Sequence, residues 1–183
     1  MGARPEHADA ARRVGSKLAR MGFGLVYGGG RVGLMGQVAD AALAGGARVI
    51  GVLPERLATK ELAHDGLTEL HIVSSMHERK ALMAERCSAF LTLPGGIGTF
   101  EEFFEILTWA ALGYHEKPLG LLNVGGYFDP MLAMLHHGID EGFIRPSHIG
   151  LITVSSQPES MVGDLIDRLR LTLPDQGLNL EST

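Results

Sequence analysis

Apolar positions along the chain switch repeatedly between a helical and a strand period, and the elements they predict alternate almost strictly. Glu6 to Met21 places Ala10, Val14, Leu18 and Met21 near one face, the mark of an amphipathic helix. The short apolar run Phe23 to Tyr27 predicts a strand that enters Gly28, Gly29 and Gly30 directly. Leu34 to Ala44, rich in Ala, Leu and Val, predicts a second helix, and Arg48 to Leu53 a second strand. Pro54 to Gly66 is polar and reads as a loop with a short helix, carrying Lys60, Glu61, His64 and Asp65. Leu67 to Val73 alternates as a strand does, and Ser75 with Glu78 forms a capping-box pattern opening a helix from Met76 to about Cys87.

The second half repeats the theme. Phe90 to Leu93 is a strand that breaks at Pro94, and a long apolar helix follows to about Tyr114, with Gly113 placed to end it. Leu119 to Asn123 predicts a strand, Phe128 to Gly142 a helix with Pro130 near its start, and Leu151 to Val154 a last strand. Ser156 and Glu159 suggest a cap for a final helix over Glu159 to Leu171. Such alternation predicts an α/β fold: a doubly wound, mostly parallel, Rossmann-like sheet with helices on both faces. Residues 1–173 form one domain on this reading, and 174–183 a flexible tail. A helix followed by a buried strand is the second half of a βαβ unit, so the pattern calls for a further strand ahead of Glu6.

In such sheets ligands bind beyond the carboxyl ends of the strands, where the glycine loops fall. Pro94-Gly95-Gly96-Ile97-Gly98-Thr99 joins strand to helix, and its glycines let a ligand approach the main chain while the helix amides favour a phosphate. Thr99 and Glu102 fit a capping box with Thr99 as N-cap. The adjacent carboxylates Glu101 and Glu102 would repel a phosphate unless they face another part of the ligand, a conflict that a nucleotide resolves through its ribose; the bland alternative is that both complement the helix dipole. Gly28, Gly30 and Gly33 satisfy a loose G-x-G-x-x-G, but Arg48 to Leu53 ends without an acidic residue, which argues against a nicotinamide cofactor. Arg79 and Lys80 lie in the first turns of their helix, against its dipole; they form either a solvated face or a pair reaching for an anion.

Composition narrows the field further. The 183 residues suit one domain, and 45% apolar with 20% charged content is that of an ordinary globule. A formal charge of -5 gives no global attraction to nucleic acid. The single Cys87 supports no internal disulfide, and no apolar run is long enough to span a membrane, so a cytoplasmic location is the expectation. The eight histidines, His71, His77, His136 and His137 among them, lack the spacing of ligand pairs, so no metal is expected.

Pro94-Gly95-Gly96-Ile97-Gly98-Thr99-Phe100-Glu101-Glu102 resembles the P-G-G-x-G-T-x-x-E signature of the LOG family, cytokinin riboside 5'-monophosphate phosphoribohydrolases long labelled "possible lysine decarboxylase". Val26 to Gly36, Ser75 to Ala81, Thr108-Trp109 and Gly120 to Tyr127 also read as family segments, so the resemblance runs from Gly2 to about Leu171. It implies hydrolysis of the N-glycosidic bond of an N6-modified AMP, or of AMP, to free base and ribose 5-phosphate, with no cofactor. It implies Arg79 and Glu102 as the catalytic pair, with Glu101 the alternative for the water and sugar role. Lys80, Gly95, Gly96, Gly98, Thr99 and Glu101 would hold the nucleotide, with Gly29 and Gly30 from the earlier loop and Glu61 and Thr108 as weaker candidates. It further implies a homodimer, for which the helix Phe100 to Leu112 is a candidate contact. Family members open with a strand and a Gly-Ser loop, and Met1 to Pro5 corresponds to the end of that loop; the expectation is a sheet without that central strand, weakened in stability or activity. Two other readings stand beside the hydrolase: a non-catalytic nucleotide or molybdenum-cofactor carrier, and a pyridoxal-phosphate lysine decarboxylase. The last is disfavoured by the four available lysines, Lys17, Lys60, Lys80 and Lys117, and by the short chain.

Overall fold

The computed structural model describes residues 2–58 and 63–172. The elements follow the predicted order: α1 (Pro5–Arg20), β1 (Leu25–Tyr27), α2 (Gly33–Ala44), β2 (Val49–Pro54), the single turn α3 (Glu55–Ala58), β3 (Glu69–Val73), α4 (Met76–Arg86) and β4 (Phe90–Thr92). Then come α5 (Ile97–Ala111), β5 (Leu119–Leu122), a 3₁₀ turn (Val124–Gly126), α6 (Asp129–Asp140), the single turn α7 (Pro146–Ile149), β6 (Ile152–Ser155) and α8 (Pro158–Thr172). Glu61 and the tail from 174 lie outside the described residues.

All strand pairings are parallel, as expected, but the strands form two sheets rather than one. The orders are β1-β2-β3 and β4-β5-β6. β5 is buried on both faces, and its alternation shows how the layers are built. Leu119 and Leu121 pack with Phe103 and Leu107 of α5 and with Met131 and Leu135 of α6. Leu122 turns the other way, onto Met161 and Leu165 of α8 and Val14 of α1. Burying such side chains stabilises the fold by roughly 1.5–3 kcal/mol each.

Two of the three predicted caps differ from expectation. α5 starts at Ile97 with Gly96 as N-cap and no side-chain cap, so Thr99 is its third residue and the Thr99–Glu102 box does not form. Helical geometry begins earlier because Gly96 accepts the first intrahelical bonds, from Thr99 N–H at 3.0 Å and Phe100 N–H at 3.3 Å. At α8, Pro158 opens the helix and Glu159 instead receives the Arg13 guanidinium, Nε to Oε1 at 2.9 Å. At α4 the cap is as predicted: Glu78 N–H donates to Ser75 Oγ at 3.1 Å, while the Glu78 carboxylate reaches back to Ser74, accepting from its N–H at 2.8 Å and its hydroxyl at 2.7 Å. The end of α5 is a Schellman turn through Gly113, with Tyr114 N–H donating to Trp109 C=O at 2.9 Å.

Candidate active site

The strand ends bring three segments to one rim: the glycine loop after β1, the start of α4 and the loop between β4 and α5. Arg79 is the pivot. Only 9% exposed, it donates from Nε to Val52 C=O at 3.2 Å and from Nη1 to Glu102 Oε1 at 3.2 Å. Gly28 makes that position accessible: a Cβ there would lie 2.0 Å from Arg79 Nη2. Gly29, at φ +76°, turns the chain away beneath it. Gly29 and Gly30 themselves are buried, Gly29 C=O accepting from His64 N–H at 3.1 Å and Gly30 bridging to Ala63. Of the three glycines, Gly28 lines the cavity that holds Arg79.

Freed from capping, the Glu102 side chain points back across the rim to Arg79. Burial raises its carboxyl above the ordinary 4.5, Arg79 pulls it down, and Glu101 pushes it up again; the net direction is upward. Beside it Lys80, its side chain 10% exposed, donates to Glu101 at 2.6 Å and to Glu105 at 2.9 Å. Burial lowers the Lys80 ammonium pKa, but the hydrogen bonds to the two carboxylates outweigh it and leave Lys80 above the ordinary lysine value. Glu105 was not singled out in the sequence, although its spacing from Glu101 puts both on one helical face.

The β4–α5 loop is folded tightly over this rim. A Cβ at Gly95 would lie 2.1 Å from Thr99 Oγ1, and the Tyr127 hydroxyl donates to Gly95 C=O. Tyr127 also lies parallel to Phe100, their ring centroids 6.4 Å apart, a contact across 27 positions that local pattern does not reveal. Gly96 and Gly98 are exposed at the start of α5, where uncapped amides present partial positive charge. Thr108 is not part of the rim: it is exposed further along α5, its hydroxyl donating to Phe104 C=O at 2.6 Å. The rim thus combines a buried arginine, a raised carboxylate, a neutralised carboxylate pair and an anion-favouring helix start. Among the described residues no group of three or more His, Cys, Asp and Glu is disposed to hold a metal ion.

The chain is similar to known proteins in sequence and in fold. The family model described as "Possible lysine decarboxylase" matches residues 35–165. A cytokinin riboside 5'-monophosphate phosphoribohydrolase of Rhodococcoides fascians is 51% identical over 86% of this chain and 80% of its own length. A rice relative with that activity in its name is 46% identical over 87% of this chain and 65% of its own, and an Arabidopsis thaliana phosphoribohydrolase is 44% identical over 90% and 76%. In fold the chain is similar to the molybdenum cofactor carrier protein of Chlamydomonas reinhardtii, with a TM-score of 0.68 at 20% identity over 92% of this chain and 91% of that one. The molybdenum cofactor binding protein of Rippkaea orientalis gives a TM-score of 0.67, also at 20% identity, over 90% and 89%. With the family model over residues 35–165 and these sequence relatives in agreement, the chain belongs to the "possible lysine decarboxylase" family, which includes the cytokinin riboside 5'-monophosphate phosphoribohydrolases.

Proposed function

We propose that this protein hydrolyses the N-glycosidic bond of a nucleoside 5'-monophosphate, an N6-modified AMP or AMP itself, releasing free base and ribose 5-phosphate. The observation that carries the reading is the Arg79–Glu102 pair at the rim, with a carboxylate held above its usual range inside the cavity. The phosphate sits on the amides at Gly95, Gly96 and Gly98, where the α5 dipole favours it. The ribose then lies toward Glu102. As the C1'–N bond breaks, its electron pair leaves with the base and positive charge develops on the sugar; Glu102 stabilises that charge and takes a proton from the water that bonds to C1', and the departing base nitrogen takes up one proton from solvent as Glu102 returns its own. Arg79 fixes the Glu102 carboxylate and the anionic substrate, supplying orientation. Lys80 holds Glu101 and Glu105 and offsets two negative charges beside the phosphate. Glu101 is the lesser candidate for the water role because its side chain is 52% exposed and engaged by Lys80. A homodimer belongs to the same reading.

The decarboxylase in the family's label requires a lysine that forms an imine as a free amine. Lys80 is held in the opposite state, as an ammonium between two carboxylates. Lys117 is likewise engaged, donating to Ala84 C=O at 2.6 Å and Cys87 C=O at 2.7 Å. Chromatography of reactions with AMP and N6-isopentenyladenosine monophosphate tests the proposal: free base and ribose 5-phosphate should appear in equal amounts. Binding of either nucleotide without release of base would move the protein to the carrier reading.

A further inference from the structure

The β4–α5 loop contains a peptide group between two glycines, Gly95 and Gly96, and its own residues leave the orientation of that peptide open: with no Cβ on either side it rotates at little cost. The two orientations differ in chemistry. A trans peptide points its C=O and the following N–H in opposite directions. With Gly95 C=O turned toward an anion the loop repels it. With that carbonyl turned away, Gly96 N–H joins the N–H groups of Ile97 and Gly98, which have no partners inside α5, in one cluster of donors. Tyr127 makes the choice, because its hydroxyl donates to Gly95 C=O from 32 positions away in the chain.

Tyr127 is itself held in place. It follows Gly125 and Gly126, which turn the chain at φ +59° and +71°. A Cβ at Gly126 would lie 2.5 Å from Asp129 Oδ2, so the turn requires glycine there. Asn123 closes the turn, its Oδ1 accepting from Phe128 N–H and its Nδ2 donating to Asp129 Oδ1, both at 2.7 Å. The tyrosine ring packs on two sides, parallel to Phe100 and edge-on to the buried Phe128, the second pair with centroids 4.9 Å apart. Phe100 belongs to α5, so the ring is fixed against the same helix whose first turn carries the free amides.

With the 5'-phosphate at the start of α5, the placement in the hydrolase reading on which this rests, we propose that Tyr127 is a positioning residue that sets the preference for a phosphate monoester, by holding the Gly95–Gly96 peptide with its N–H toward the phosphate. Tyr127→Phe tests this, because the ring and its packing remain and the hydroxyl alone is lost. Ribose 5-phosphate and ribose differ by the phosphate and carry no base to release, so their binding reads the role without turnover. The parent should bind ribose 5-phosphate more tightly than ribose. The variant should keep the melting temperature and the affinity for ribose but bind ribose 5-phosphate about tenfold more weakly. The Gly96 amide resonance should shift when ribose 5-phosphate is added to the parent, and shift less in the variant. With AMP, KM should rise by about tenfold and kcat change less, since the Arg79–Glu102 pair is untouched; a merely structural loss would lower the amount of active protein, and so kcat instead. The inference is overturned if the variant keeps the parent's preference for ribose 5-phosphate, or if both sugars weaken together. A parent without that preference overturns the phosphate placement as well. Absence of base release from AMP with the preference intact overturns hydrolysis alone and leaves the role of Tyr127 standing.

Discussion

At the scale of single residues the account turns on Arg79 and on the space made for it. Gly28→Ala would place a methyl group 2.0 Å from Arg79 Nη2, so the guanidinium must move from its place against Glu102. The variant should fold, because β1 keeps its pairing with β2, yet lose about 10²-fold in kcat/KM through a displacement of the order of an ångström. Near-parental activity in this variant would mean that Arg79 is not the orienting group. Glu102 sets the pH response. It must be ionised to take a proton from water, and burial holds its carboxyl above 4.5; kcat/KM should therefore fall with decreasing pH along a limb that starts above that value. A profile without such a limb would contradict that role for Glu102. The P-G-G-x-G-T-x-x-E run made Glu101 and Glu102 visible in the sequence, but their division of labour was not, since it depends on which of them meets Arg79 and which meets Lys80. Tyr127 and Glu105 escaped notice for a related reason: their importance lies in partners on other elements.

At the scale of elements, helix starts decide where the functional side chains point. Reading Thr99 as an N-cap would have tied Glu102 to the backbone; with α5 beginning at Ile97 the carboxylate is released to the rim. The sequence signal was ambiguous there because a run of glycines permits more than one starting residue, and the glycine that accepts the first turn's bonds wins. At α4 the reading succeeded because Ser75 is followed by ordinary helix formers and no competing start exists. Ser75→Ala removes that cap and should cost about 1 kcal/mol, seen as a lower denaturant midpoint with an unchanged slope. Because Arg79 lies one turn inside α4, the same variant should also show a modest loss of activity. An unchanged midpoint would indicate that the Glu78 bonds to Ser74 suffice to hold the helix start.

At the scale of the whole molecule, the succession of elements along the chain and the parallel direction of the strands were legible from the alternation of strand and helix periods. The division into two sheets was not legible, because which strands pair depends on contacts between distant elements that no local pattern encodes. The fold by itself leaves carrier and hydrolase open, since structures at 20% identity share the architecture alone. The distinction rests on turnover at the rim. The most direct measurement is release of free base from AMP and N6-isopentenyladenosine monophosphate by the parent chain and by Glu102→Gln, with nucleotide binding measured alongside. The account predicts release by the parent and a loss of about 10²- to 10⁴-fold in the variant with binding retained. Equal release by both would contradict the role of Glu102, and binding without release by a folded parent would contradict the hydrolase itself.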